Sequence, residues 1–137
     1  MAKYQLEVEY DYDFQLVAIC CHSKDYRISW YLNNALGIAL EKDIKNIEIE
    51  LNDSPSIHTI YRFCNKNTQA LYKLISNRGT SGLLVQEHKN VDYFLMIENN
   101  FTEALENIVH KIKSLPIVLT AYEVELKKLK SKQNLIF

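Results

Sequence analysis

Strict alternation marks the first stretch of the chain. Leu6, Val8, Tyr10, Tyr12 and Phe14 fall on one side of an extended backbone, with Glu7, Glu9, Asp11 and Asp13 on the other. A period of two predicts a strand with one buried face and one acidic, solvated face. From Phe14 to Cys21 the pattern turns continuously apolar. Periodicity there fits a buried strand or a short buried helix, and strand is the preferred reading. Ile28, Tyr31, Leu32, Ala35 and Leu36 follow helical spacing and form one apolar stripe. Ser23 or Asp25 is placed to cap that helix, and Gly37 to end it in a left-handed conformation.

Helical periodicity then disappears until residue 100. Ile47, Ile49 and Leu51 alternate with Glu48 and Glu50, and Asn52-Asp53-Ser54-Pro55 predicts a turn. Ile57 to Cys64 reads as a strand, Asn65-Lys66-Asn67 as a turn, and Ala70 to Ser76 as the next strand. A polar loop from Asn77 to Gly82 precedes two further strands, Leu83 to Val85 and Val91 to Glu98. These elements describe an antiparallel meander.

Asn100 with Glu103 predicts a capped start for a second helix, striped by Phe101, Leu105, Ile108, Ile112 and Leu115 and stopped by Pro116. Ile117 to Val124 reads as a final strand, so a strand, helix and strand follow one another. That succession implies a crossover, right-handed if the two strands are parallel in one sheet. The expected fold is α+β, a mostly antiparallel sheet with two α-helices packed on one face. Residues 1–137 are expected to form one domain, with 127–137 as a basic and apolar tail.

Composition narrows the class. At 137 residues the chain can bury one core without staples. A formal net charge of −1 provides no global field for nucleic acid or an anionic membrane. The longest apolar run, Leu16 to Cys21, is too short to span a bilayer, so no membrane partner is expected. Cys20, Cys21 and Cys64 cannot all pair, and no signal peptide is visible. A soluble cytoplasmic protein with reduced thiols is expected.

One segment departs from this ordinary pattern. Val85-Gln86-Glu87-His88-Lys89-Asn90-Val91-Asp92-Tyr93 places an acid, three polar positions and Val-Asp-Tyr between strand-like runs. It resembles the motif of the bacterial IPExxxVDY family, whose members have no established activity. Glu87, Val91, Asp92 and Tyr93 match, while Val85 stands for the Ile and Gln86 for the Pro. Gln86 removes a fixed φ and adds an amide, which weakens a rigid-turn role for that position. Tyr12-Asp13-Phe14, Asp25-Tyr26-Arg27 with Trp30 and Asn33, and Asn134-Leu135-Ile136-Phe137 extend the resemblance over most of the chain. Such a family implies no catalytic roles.

The chemistry of the motif has two readings. Glu87 and Asp92, with His88 between them, could work as an acid/base pair. Alternatively, the two carboxylates and the Tyr93 hydroxyl hold a bend, with Glu87 accepting amides of 88–90 and Asp92 paired to Arg62, Arg78 or loop amides. The bend is the favoured expectation. Asp92 is expected to share a strand face with Phe94 and Met96, and Val91 to share the other with Tyr93, Leu95 and Ile97.

Other constellations are weaker. Neighbours in Cys20-Cys21-His22 point to opposite faces of a strand, His58, His88 and His110 are scattered, and no metal or cofactor is expected. Gly79-Thr80-Ser81-Gly82 lacks the Lys and following helix of a phosphate loop. Tyr61, Arg62 and Phe63 could form a stacking platform, and Lys127, Lys128, Lys130 and Lys132 could follow a phosphate backbone. Tyr61 and Phe63 fit a core face more simply. The leading expectation is a non-enzymatic protein acting through a protein partner or as a homo-oligomer, with RNA binding as the alternative.

Overall fold

The computed structural model describes residues 14–51 and 53–135. The expected strand over 6–13 with its four acids, the turn residue Asn52, and Ile136-Phe137 lie outside the described residues. The elements are β1 (Phe14–Cys20), α1 (Asp25–Leu36), β2 (Glu41–Lys42), β3 (Ile47–Leu51), β4 (Ser54–His58), β5 (Ile60–Cys64), β6 (Leu71–Ser76), β7 (Tyr93–Glu98), α2 (Leu105–Lys113) and β8 (Thr120–Glu123). Among the described residues, six strands form one sheet in the order β2-β5-β6-β7-β1-β8, and β3 pairs with β4 separately. Every ladder is antiparallel.

The continuously apolar run is a strand because it is covered on both faces. Leu16, Val17, Ala18 and Ile19 are all buried, and β1 lies between β7 and β8. Its odd residues Val17 and Ile19, with Tyr61, Leu74, Leu95 and Ile97, pack against Ile28 and Leu32 of α1 and Ile108 and Ile112 of α2. Both helices therefore cover one face. The opposite face carries Leu16, Ala18, Ile75, Phe94 and Met96. It is roofed by Ile47 of β3, by Leu84, Val85 and Val91, and by Val124, Leu129 and Leu135. The fold is α+β. Because β7 and β8 both run antiparallel to β1, they are parallel to each other, and α2 carries the chain across β1.

Several boundaries differ from the sequence pattern for local reasons. The run Ile57 to Cys64 breaks at Thr59, where the chain leaves its pairing with β3 and begins pairing with β6. Ser54 and Pro55 belong to β4 rather than to a turn. Leu83 to Val85 is irregular backbone joined to Arg78 by one isolated bridge, and β7 begins at Tyr93, two residues after Val91. The last strand is shortened to Thr120–Glu123 by a turn in which the Val118 amide donates to Leu115 O.

Neither helix is capped by a side chain as expected. Lys24 precedes α1 without a side-chain bond, and Asp25 instead accepts the Tyr26 amide at 2.8 Å. Gly37 does end α1 at φ +66°, where the left-handed backbone suits glycine. Asn100 bonds both the amide and the carbonyl of Glu103, but α2 starts later, at Leu105. Glu103 pairs with Lys111 at 2.7 Å, and Phe101 is 85% exposed, outside the buried stripe.

Candidate functional site

The motif forms a loop between β6 and β7, organised by a residue outside it. Asn77 is fully buried at the end of β6. Its backbone amide donates to Asp92 O at 2.9 Å, and its carbonyl accepts the Leu84 amide at 2.8 Å. Its side-chain oxygen accepts the Val85 amide at 2.8 Å, while its Nδ2 donates to His88 O at 3.0 Å and Val91 O at 2.8 Å. One amide thus clasps both ends of the loop. This replaces the strand expected over Leu83 to Val85, and it turns Val91 away from Tyr93 into the Phe94 and Met96 side of the core.

Asp92 is buried and fully engaged. Its Oδ2 accepts the Cys21 amide at 2.8 Å, and its Oδ1 pairs with Arg78 Nε at 2.9 Å. Arg78 also donates through Nη2 to Lys89 O at 3.0 Å. Of the proposed partners, Arg78 is the one that binds. Arg62 pairs with Asp43 at 2.6 Å instead. Asp92 therefore joins the loop to the point where β1 leaves the sheet.

Glu87 binds farther away than expected. Its Oε2 accepts the Lys130 and Ser131 amides, and its Oε1 accepts the Ser131 hydroxyl at 2.6 Å. No amide of 88–90 is its partner. Burial acts to raise the Glu87 pKa, but the Ser131 hydroxyl and the surrounding amides outweigh it and hold the carboxyl below its ordinary range. The carboxylate fixes the C-terminal segment, where Leu126–Lys128 and Lys132–Leu135 are 3-10 turns. Leu129 and Leu135 are buried and Asn134 Nδ2 donates to Leu84 O at 2.8 Å, so 126–135 is part of the core rather than a trailing tail.

The Tyr93 hydroxyl donates to Ser23 O and ties β7 to the entry of α1. Burial, and then the negative charge of Asp25, push its pKa up; the same two causes raise Tyr61. Two segments far apart in sequence, Asp25-Tyr26-Arg27 and Val91-Asp92-Tyr93, thus meet at the β1–α1 junction.

His88 is held by another element again. Its Nδ1 lies 2.8 Å from the Tyr122 hydroxyl of β8, and its ring meets Phe94 edge-on. Glu87, His88 and Asp92 are directed to the C-terminal segment, β8 and the Arg78–Cys21 pair respectively. They do not share a reacting centre. Among the described residues, no group of three or more His, Cys, Asp or Glu side chains is placed to hold a metal ion. Cys20 and Cys21 lie on opposite faces of the sheet, with Cys20 half-buried and Cys21 buried.

The aromatic trio separates too. Tyr61 is buried and Phe63 half-buried beneath the helices, while Arg62 projects from the other face. They present no common stacking surface. Lys127, Lys128 and Lys130 are exposed; Lys128 lies 3.4 Å from Glu125, and the side chain of Lys132 is outside the described part.

Sequence reasoning missed a second polar node. Ser56 and His58 are both fully buried on the inner face of β4. His58 Nδ1 lies 2.9 Å from Ser76 O, so it carries the proton, and Nε2 accepts from the Ser56 hydroxyl at 2.9 Å. Ser56 Oγ also receives the Ser81 amide at 3.2 Å. A Cβ on Gly79 would come within 2.3 Å of Ser56 Oγ and 2.5 Å of the His58 ring, which explains a glycine in this loop. The available signal was the period-two spacing of Ser56 and His58 opposite Ile49 and Ile47. No family model and no curated protein matches the chain.

Proposed function

We propose that this protein works by contact, as a homo-oligomer or by docking a protein partner, and not by catalysis. The observation that carries this reading is the consumption of Glu87, His88 and Asp92 by three separate structural contacts. A general acid or base needs a side chain free to exchange its proton with substrate, and these carboxylates are occupied by amides, a hydroxyl and a guanidinium. Tyr26 and Trp30, 64% and 60% exposed one turn apart on α1, support a surface made for contact. We further propose membership of the IPExxxVDY family, on Glu87, Val91, Asp92 and Tyr93, and a cytoplasmic location. The free thiols Cys20, Cys21 and Cys64 are consistent with a reducing compartment.

Light scattering over a wide concentration series tests self-association, with a mass rising above that of one chain as the expected result. A strict monomer removes that branch. RNA binding remains the second reading because Lys127, Lys128 and Lys130 are exposed along a docked segment. Its expected signature is affinity for single-stranded RNA that falls steeply with salt. Salt-independent affinity, or none, ends it.

A further inference from the structure

The edges of the sheet are unequally protected. An exposed edge presents unpaired backbone donors and acceptors, which proteins ordinarily guard with short strands, charges or covering loops. One end of the large sheet is β2, only two residues long, Glu41 and Lys42, beside the Arg62–Asp43 ion pair. In the small sheet, β3 carries Glu48 and Glu50, which two paired copies would set against each other. The outer side of β4 is occupied by the 80–81 segment: Thr80 N donates to Ile57 O, Ile57 N to Thr80 Oγ1 and Ser81 Oγ to Pro55 O. At the remaining end, β8 is four residues long, Thr120-Ala121-Tyr122-Glu123, and no strand lies beyond it among the described residues. It contains neither lysine nor proline, and Leu119 and Tyr122 are 69% and 38% exposed.

The ladder identifies which backbone groups of β8 point away from β1. Ile19 O accepts from Asp92 at the β7 side, so the even-numbered residues of β1 face β8; Leu16 O accordingly accepts the Val124 amide at 2.9 Å. Thr120, Tyr122 and Val124 therefore turn their backbone groups toward β1, leaving those of Ala121 and Glu123 pointing outward.

We infer that β8 is the site at which a second copy of this chain pairs, antiparallel and across a twofold axis. The proposal rests on the contact reading above and specifies its surface and its partner. An antiparallel strand is self-complementary, so a second copy satisfies the edge with no foreign sequence. With the axis at Tyr122, Ala121 of each copy exchanges backbone hydrogen bonds with Glu123 of the other. The two Tyr122 rings then meet as a non-hydrogen-bonded pair, the closest cross-strand position and a favourable one for aromatic rings. Centring on Glu123 instead would oppose two carboxylates. The result joins two six-stranded sheets edge to edge.

Two variants test the edge. Glu123→Pro deletes an outward amide while sparing those facing β1, and Leu119→Glu, at a side chain 69% exposed, sets a second carboxylate against Glu125 of the other copy in this register. Light scattering is expected to show wild-type mass rising toward two chains. Both variants are expected to associate at least about tenfold more weakly, with their thermal melts confirming a folded chain. Hydrogen exchange at the Ala121 and Glu123 amides is expected to slow with concentration in the wild type only. A dimer indifferent to both variants but dissociated by Trp30→Glu would overturn the β8 assignment and leave the contact reading standing. A monomer at every concentration would remove the β8 assignment and the self-association branch together.

Discussion

Asn77 and His58 show how single polar side chains organise a face that is otherwise apolar. The three side-chain hydrogen bonds of Asn77 satisfy the Val85 amide and the His88 and Val91 carbonyls inside the core. Asn77→Ala leaves those groups without partners, so we expect a loss of about 2–4 kcal/mol in urea unfolding. Asn77→Asp keeps the acceptor for Val85 but faces two carbonyls with a carboxylate, and its penalty should grow as pH rises and the acid ionises. His58 gives a different pH response. Burial lowers its pKa from 6.5, against a smaller raising effect of its bond to Ser76. The unfolded chain therefore binds the proton more readily than the folded one. The stabilisation is complete above 6.5 and is lost as pH falls from there toward the folded value. Unfolding free energies measured between pH 7 and pH 5 should decline for the wild type, and His58→Gln should flatten that slope.

At the scale of elements, the polar contacts join segments that are distant in sequence. Glu87 and Ser131 are 44 residues apart, and Tyr93 and Ser23 are 70 apart. Glu87→Gln keeps the size of the side chain but removes the charge that strengthens three accepted bonds, so a loss of about 1–3 kcal/mol is expected by urea unfolding. Hydrogen exchange should also quicken over 126–135. The folded Glu87 pKa lies below its ordinary 4.5. Its contribution is therefore present above 4.5 and is lost as pH falls below that value, a window that opens lower on the pH scale than that of His58. These long-range ties explain where sequence reading stopped. Period-two and helical spacing are local signals, and they located β3, α1 and the stripe of Leu105, Ile108 and Ile112, while β1 reads as a strand from a continuous apolar run that spacing leaves open to a short helix. The partner of Glu87 is a non-local fact. Nothing within 88–90 distinguishes a carboxylate that holds its own loop from one that holds a segment forty residues downstream.

For the whole molecule, the two faces of the sheet were unequally legible. Both helices announce themselves by their apolar stripes, so the α+β layering on the first face follows from pattern. The second face is roofed by a two-stranded sheet, an irregular loop and 3-10 turns, none of which has a long period. Val124, Leu129 and Leu135 consequently read as the end of a strand and a basic tail, although they are 5%, 5% and 2% exposed. Their lysine neighbours Lys127, Lys128 and Lys130 set the average polarity of the segment while the leucines set its structure. A core that depends on this roof should fail cooperatively when the roof is weakened. Leu135→Ala is expected to lose about 2–5 kcal/mol, the range for emptying a buried leucine site. Shortening the chain after Glu125 should expose Leu84, Val85 and Phe94 together and produce strong binding of a hydrophobic dye such as ANS. Retention of wild-type stability after that truncation, with no dye binding, would show that the second face is closed without residues 126–135.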